Sequence, residues 1–218
     1  MKKAKDVIMD QPKLGINVFA GSIMVFTAVV WMALDIYLPA LPILKEEFKV
    51  SATYLNLTLT AGIIATAIGT LIGGPMSDKY GRKPVFASGV GLSLLFTFLC
   101  TFAGSVDFLI VVRGLASLGN GIILTVTTAM IKDTFSGRTF KNVMTVLQSA
   151  AIIGPILAPS VGSVIITWLS WRWLFVFIAV VSVVPAALIL FARETWPEGK
   201  RISDSALKAV SDTLHTAG

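Results

Sequence analysis

Six long apolar stretches alternate with short polar segments along the chain. A helix that crosses the hydrocarbon core of a bilayer needs about 20 mostly apolar residues, and each stretch is long enough. The second, third and fifth stretches contain no charged residue. The pattern predicts an all-α membrane protein, a bundle of six transmembrane helices over residues 16–192, flanked by polar tails at 1–15 and 193–218. The six predicted spans cover approximately residues 16–38, 52–76, 84–104, 107–131, 142–168 and 172–192.

The composition narrows the class of protein further. Hydrophobic residues make up 55% of the chain and charged residues 14%, whereas a soluble domain carries roughly 25% charged residues. The net charge of +6 comes from basic residues spread over short loops and tails, so we expect no nucleic-acid partner. The chain has one cysteine, Cys100, and one histidine, His215, so we expect no metal site. No segment combines a nucleophile, a base and metal-ligand spacing, and we therefore expect no enzyme activity and no catalytic residues.

The basic residues predict the orientation in the membrane. Only Lys45, Lys49 and Arg172 lie on one side of the predicted bundle, whereas fourteen lie on the other. Because lysine and arginine accumulate in cytoplasmic loops, both chain ends are predicted to be cytoplasmic and the protein to be a multi-pass protein of the cytoplasmic (inner) cell membrane. The fourteen residues are Lys2, Lys3, Lys5, Lys13, Lys79, Arg82, Lys83, Lys132, Arg138, Lys141, Arg193, Lys200, Arg201 and Lys208.

Two ionisable residues, Asp35 and Arg113, lie inside predicted spans, where charges usually face a cavity or a partner. Asp35 lies about 6 Å and Arg113 about 9 Å from the outer end of its span at 1.5 Å per residue, so the two can pair. Trp31 shares a helix face with Asp35, and one narrow face of the fourth span carries Arg113, Ser117, Asn120 and Thr127. These faces suggest a shared aqueous path. The alternative is that Asp35 is an interfacial helix-end residue and that Arg113 extends outward to the membrane surface.

The most specific motif joins the second and third spans. It resembles the signature loop of the major facilitator superfamily. We expect its first glycine to allow close helix packing, its aspartate to face a helix N-terminus and its second glycine to permit a tight turn. The motif residues are Gly74, Asp78, Lys79, Gly81, Arg82 and Lys83.

Other segments resemble the Bcr/CflA-type drug:proton antiporters of that superfamily. The segment from Asp35 to Pro42 looks like the matching part of their first span. Arg113 with Gly119 resembles the family's motif in the fourth span, although Ala116 stands where glutamine is often found. Small residues and prolines in the fifth span are similar to the antiporter motif and would permit close helix contact. The residues of this helix 5 motif are Gly154, Pro155, Pro159 and Gly162.

The resemblance implies a secondary transporter, a proton-coupled exporter of small amphipathic compounds that needs no cofactor beyond the proton gradient. Asp35 would take up the proton, Arg113 would stabilise the charged carboxylate, and Trp31, Ser117 and Asn120 would line the path. Family members have twelve spans in two six-helix halves, so the chain corresponds to one half, with a second half or a second copy of itself as partner. Two alternatives remain: a metabolite symporter or uniporter of the same superfamily, and a truncated membrane protein that does not transport.

Overall fold

The computed structural model describes residues 7–8 and 15–196, and the regular structure in this part of the chain is helical. Most of the two predicted tails lies outside the described residues. A short 3₁₀ turn at Leu38–Ala40 separates the first two helices. The seven helices are α1 Ile16–Asp35, α2 Leu41–Phe48, α3 Ala52–Tyr80, α4 Arg82–Cys100, α5 Val106–Thr134, α6 Gly137–Trp168 and α7 Arg172–Phe191.

The six predicted spans are confirmed, because six helical segments are long and apolar enough to cross a membrane. Their ends differ from the prediction. The first crossing, Ile16–Phe48, is broken after Asp35, where Pro39 and Pro42 begin new helical turns because proline is favoured at a helix start and not in its interior. α3 continues four residues past its predicted apolar stretch to Tyr80, and α6 begins five residues before its own, at Gly137.

Helix α5 lies at the centre of the bundle and packs closely against α3 and α4. Glycines make the contact with α3 possible. A Cβ atom on Gly69 would lie 2.2 Å from the carbonyl oxygen of Leu118, and one on Gly121 would lie 2.1 Å from that of Thr66. The two backbones therefore touch, as small residues allow in membrane helices.

Helix α1 packs against α6 and α7. A Cβ atom on Gly154 would lie 2.7 Å from the carbonyl oxygen of Ala28, and one on Gly162 would lie 2.1 Å from that of Ile36. The glycines of the helix 5 motif therefore do allow close contact, here with α1. Pro155 and Pro159 lie inside α6, which continues through both.

The two ends of the bundle are named here after Arg82 and Arg172, the residues that begin α4 and α7. At the Arg172 end, the carboxylate of Glu47 on α2 accepts a hydrogen bond from Trp171 Nε1 at 2.6 Å and pairs with Arg172 Nη2 at 3.0 Å. The same Nη2 donates to the carbonyl oxygen of Ala103 at 3.2 Å. These contacts connect α2, the α4–α5 connection and α7.

Candidate functional site

Arg113 is buried, with 5% of its surface exposed, and it meets no carboxylate within ion-pair distance among the described residues. Its guanidinium carbon lies 3.6 Å from the centroid of the Tyr37 ring and 6.0 Å from that of Phe175. Its Nη2 donates to the carbonyl oxygen of Leu34 at 3.2 Å, in the last turn of α1. The last carbonyls of a helix lack partners within it and carry partial negative charge, so they attract a cation. The guanidinium is therefore stabilised by a helix end and an aromatic ring.

Asp35 is the last residue of α1. Its side chain is partly buried and close enough to Arg113 for the two to interact electrostatically. In the part of the chain that the structure describes, no ion pair within 4.0 Å joins the two side chains. The direct pair suggested by the sequence is thus not formed in this conformation, because Arg113 turns to the Leu34 carbonyl and the Tyr37 ring instead.

The polar face of α5 is buried inside the bundle. Ser93 Oγ donates to Asn120 Oδ1 at 2.6 Å, which satisfies the amide oxygen of Asn120 across the α4–α5 contact. Arg113, Ser117 and Asn120 line a cavity of about 20 Å³. A water molecule needs roughly 10–15 Å³, so this space holds a single water and no drug-sized compound. The expected shared path therefore does not run through Ser117 and Asn120 in this conformation.

Two larger cavities adjoin each other between α1, α3, α5 and α6, and together they are called the Trp31 cavity below. Their volumes are about 160 Å³ and about 490 Å³, and both are lined by Trp31, Leu124 and Thr128. The smaller part also reaches Thr27 and Gln148, whereas the larger part extends to Lys132 near the Arg82 end of α5. The structure thus places Trp31, but not Ser117 or Asn120, where a small molecule fits.

The signature motif forms a compact polar cluster at the Arg82 end. Arg82 is buried, and it donates through Nε to Asp133 Oδ2 at 3.0 Å and through Nη1 to Ser77 Oγ at 2.6 Å. It also pairs with Asp78, one turn earlier in the sequence. Gly81, with φ of +101°, is the one residue between α3 and α4, so the tight turn expected of this glycine is confirmed.

Two expectations for this motif are wrong. Asp78 does not face the N-terminus of α4, because Glu194 occupies that place: its carboxylate oxygens accept from the backbone N–H groups of Arg82 and Lys83, each at 3.0 Å. Gly74 is not needed for close packing, since a Cβ atom there would meet Thr125 at an ordinary 3.6 Å. Five of the six motif residues also lie in helices and not in a loop, three of them in α3, which extends to Tyr80, and two in α4, which begins at Arg82.

The segment after α7 completes the cluster. Trp196 Nε1 donates to the carbonyl oxygen of Asp78 at 3.0 Å, and the guanidinium carbon of Arg82 lies 4.7 Å from the centroid of the Trp196 ring. The first residues of the predicted tail are therefore folded against the α3–α4 junction. As for metals, no group of three or more His, Cys, Asp or Glu side chains within residues 7–8 and 15–196 has the arrangement to hold an ion.

Comparison with known families decides what kind of protein carries these features. The sequence profile described as Major Facilitator Superfamily matches residues 23–215, nearly the whole chain. The chain belongs to the major facilitator superfamily. It is thus a multi-pass membrane protein of a transporter family, as the signature motif and the six spans predict.

Named relatives within the superfamily include drug-resistance proteins. The chain is 30% identical over 164 residues to the chloramphenicol resistance protein CraA of Acinetobacter baumannii, a match covering 75% of this chain and 40% of that protein. It is 30% identical over 168 residues to a chloramphenicol resistance protein of Pseudomonas aeruginosa, covering 77% and 39%. It is 29% identical over 174 residues to the multidrug resistance protein MdtL of Escherichia coli O157:H7, covering 79% and 44%. The chain therefore matches about two fifths of the length of these relatives.

A solved structure shows the same fold. The human organic anion transporter MFSD10 (TETRAN) superposes with a TM-score of 0.67 over 84% of this chain and 49% of that one, at 21% sequence identity. The described helices thus have the arrangement of about half of a transporter of this superfamily.

Sequence reasoning missed two parts of the site. The carboxylate of Glu194 lies 112 positions along the chain from Arg82, and no local pattern indicates that it caps α4. Most threonines of the Trp31 cavity were also missed, because threonine is common in membrane helices and bonds to its own backbone. Thr127 is the exception, since it lies on the polar face identified in the fourth span. The only available signal for the others was their recurrence along facing helices, at Thr66 and Thr70 on α3 and Thr125 and Thr128 on α5.

Proposed function

We propose that the chain is a six-helix half of a proton-coupled exporter of small amphipathic compounds. The Trp31 cavity is the observation that carries this proposal. Small-molecule pockets have volumes of roughly 300–1,000 Å³ and mostly apolar walls with a few polar groups, and the larger part of the cavity, at about 490 Å³, has this character. The chloramphenicol and multidrug resistance relatives support a drug as the exported compound.

A second six-helix half is the partner that fits the outer faces of the bundle. α3 and α6 expose large apolar side chains along their length, among them Ile63, Leu71 and Ile156, each about two thirds exposed or more. Such faces lie against lipid or another helix bundle, and the relatives are more than twice as long as the matched segment. The two halves then enclose the Trp31 cavity and rock around it.

Proton coupling is assigned to Asp35, with Arg113 as its electrostatic partner. Asp35 is free of ion pairs within the described chain, and so it can exchange a proton as the halves move. Arg113 is held by one carbonyl and an aromatic ring, with its Nε unbonded among the described residues. A small movement of α1 against α5 therefore brings the carboxylate and the guanidinium together or separates them.

The test is drug accumulation in bacterial cells that lack their own exporters. Cells that produce the chain, with a second half supplied from a full-length relative, are expected to accumulate less chloramphenicol than control cells that produce neither half, called empty cells below. A protonophore, which collapses the proton gradient, should abolish this difference. Asp35→Asn should abolish it as well, whereas Glu46→Gln, an exposed carboxylate on α2, should not. Reduced accumulation that survives both the protonophore and Asp35→Asn would contradict proton coupling, and a uniporter would produce no reduction because it only equilibrates the drug across the membrane.

The orientation is tested separately. We propose that the Arg82 end faces the cytoplasm, since it carries most of the basic residues. In a Cys100→Ala background, a cysteine at Lys83 or Gly218 should be protected from an impermeant thiol reagent in intact cells, and a cysteine at Lys49 should react. Reaction at Lys83 without cell lysis would reverse the orientation.

A further inference from the structure

Tyr37 connects three helices around Arg113. It lies two residues beyond the end of α1, and its side chain is completely buried. Its ring stacks on Arg113 of α5, with 3.6 Å between the ring centroid and the guanidinium carbon. Its hydroxyl oxygen lies 2.8 Å from Thr58 Oγ1 on α3. The side chain therefore starts at the end of α1, contacts α5 with its face and reaches α3 with its tip.

The direction of the hydrogen bond between Tyr37 and Thr58 follows from the other contact of Thr58. A threonine hydroxyl has one proton, and Thr58 Oγ1 donates it to the carbonyl oxygen of Leu55 at 2.8 Å. Tyr37 is therefore the donor and Thr58 the acceptor. The Phe175 ring of α7 packs against the Tyr37 ring, with 6.3 Å between the two centroids. These contacts fix the position of the tyrosine ring beside the guanidinium.

The contacts of Tyr37 cross between two groups of helices. α3 and α5 touch backbone to backbone at the glycine contacts described above, so Thr58 and Arg113 lie on one closely packed pair. Asp35 ends α1 and Tyr37 follows it directly, and α1 packs mainly against α6 and α7. A shift of α1 relative to the α3–α5 pair therefore disturbs the hydroxyl bond and the ring stacking together.

The Tyr37 ring and the Asp35 carboxylate compete for one guanidinium. Arg113 Nη2 already donates to the carbonyl oxygen of Leu34, the residue before Asp35, at 3.2 Å. Even so, no ion pair within 4.0 Å joins Arg113 to Asp35 in the described chain. An aromatic face attracts a buried guanidinium without supplying a counter-charge. Stacking on the ring therefore keeps the cation close to the carboxylate but unpaired with it.

The other ionisable groups around this pair have partners of their own, are exposed or lie on α4. Two of them bond α3 to α5, and two more pair α2 with α7. Three on or next to α2 are exposed, where water and salt screen their charge. A thiol on α4 lines the small cavity beside Arg113, and the charged residues of α6 lie at its opposite end. In this order the groups are Tyr54 and Asp107, Glu47 and Arg172, Lys45, Glu46 and Lys49, and Cys100.

From these contacts we infer that Tyr37 is a positioning residue for proton coupling. Its ring holds Arg113 away from Asp35 while its hydroxyl is bonded to Thr58, and a shift of α1 releases the guanidinium to the carboxylate. The stacked arrangement favours the protonated carboxyl group, and the released arrangement favours the carboxylate. The inference rests on the proposed function and names a residue that regulates the same proton site.

The test is a titration of Asp35 in the full chain, in lipid nanodiscs and in a Cys100→Ala background. The infrared absorbance of a protonated carboxyl group reports the protonated fraction, and its loss in Asp35→Asn assigns the signal. Tyr37→Leu frees Arg113 to pair with the carboxylate, so the midpoint of the titration is expected to fall by about one pH unit. Tyr37→Phe keeps the ring but loses its bond to α3, and a smaller fall is expected.

Two further variants show whether Tyr37 acts through these partners. Thr58→Val removes the same hydrogen bond from the α3 side, so it should shift the midpoint in the same direction as Tyr37→Phe. The double variant should fall no further than the larger single shift. In an Arg113→Met background, Tyr37→Leu should leave the midpoint unchanged, because the ring acts through the guanidinium.

Matched controls separate positioning from packing. Tyr54→Phe loses a tyrosine hydrogen bond at the same end of the bundle, to Asp107. Phe86→Leu loses a completely buried ring near the Arg82 end, where it packs on Phe26. Neither change touches Arg113, so both should leave the midpoint of Asp35 in place even if they lower the unfolding temperature.

The inference is overturned if Tyr37→Leu leaves the midpoint unchanged or raises it, or if its effect persists without Arg113. Should Tyr37→Leu fail to fold, Tyr37→Phe and Thr58→Val decide: a shared fall supports the inference, and unchanged midpoints overturn it. An Asp35 that does not titrate in the wild-type chain overturns it as well. Export is measured separately in the accumulation assay, so the inference can fail while the proposed function stands.

Discussion

Arg82 and Arg113 are buried to almost the same extent, with 6% and 5% of their surfaces exposed, yet their surroundings differ. Arg82 meets two carboxylates, a serine hydroxyl and the Trp196 ring. Arg113 meets one carbonyl oxygen and aromatic rings, and its Nε is unbonded within the described chain. A buried charge with full compensation holds helices in one arrangement, whereas one with partial compensation can change partners. We therefore expect the first to belong to the scaffold, and we propose that the second belongs to the part that moves.

The largest effect on stability is expected from Arg82→Met. The change leaves Asp78 and Asp133 without their cation, and breaking a buried pair in this way costs about 3–5 kcal/mol, or roughly 10 °C in unfolding temperature. Cys100, the one cysteine of the sequence, is 1% exposed, so its reaction with a thiol dye on heating reports unfolding. Arg138→Met, an exposed arginine near the same end, is the control and should change little. Equal unfolding temperatures would show that the cluster is not a scaffold.

A smaller effect is expected from Glu194→Gln. The two backbone N–H groups at the start of α4 keep an acceptor but lose its charge, at a cost of about 1 kcal/mol. The same Cys100 assay should show a drop of a few degrees, which shrinks at high salt. A drop as large as that of Arg82→Met would place Glu194, and not the arginine, at the centre of the cluster.

Arg172→Gln should have less effect again. Arg172 pairs with Glu47 at 3.0 Å, but both side chains are more than a third exposed. Exposed pairs contribute about 0–1 kcal/mol, with most at the lower end, so the unfolding temperature is expected to fall by less than about 3 °C. A larger fall would mean that the contact with the Ala103 carbonyl also contributes to stability.

Among these variants, Arg113→Met is expected to change the unfolding temperature least. It is nevertheless expected to abolish transport. It leaves no carboxylate unpaired within 4.0 Å in the described chain, and replacing such a charge by an apolar side chain is neutral or stabilising by about 1 kcal/mol. Drug accumulation should rise to the level of empty cells while the protein is still folded. Destabilisation comparable to that of Arg82→Met would make Arg113 a second scaffold residue.

The sequence was sufficient for the fold and for part of the site. Long apolar stretches predict the six spans because the bilayer imposes their length, and Gly81 predicts the turn because few other residues adopt its backbone angle. The partners of Arg82 and Arg113 could not be predicted from local patterns. Glu194 reaches α4 only through the folded bundle, and Arg113 turns to the Leu34 carbonyl because α1 breaks at Asp35, earlier than the hydropathy pattern indicates.

The same limit applies to the Trp31 cavity. The polar face of α5 was identified from its periodicity, but periodicity does not show whether a face meets a neighbouring helix or a space. Asn120 meets Ser93, whereas Thr127 lines the cavity. Whether a side chain of α5 meets a neighbouring helix or the cavity depends on how closely α3, α4 and α6 pack against α5. Glycines set that distance where they allow two backbones to touch.

The one-residue connection at Gly81 has a consequence for how the chain can be altered. Each residue of an α-helix advances the side chains by about 100° around the axis, so helices joined by one residue have a fixed rotational phase. A single residue inserted beside Gly81 would rotate α4 by more than a quarter turn against α3. Arg82 would then point away from Asp133, and Ser93 away from Asn120. The α4–α5 connection has five residues, 101–105, so an insertion beside the exposed Gly104 is expected to transmit less rotation to the helices than one beside Gly81.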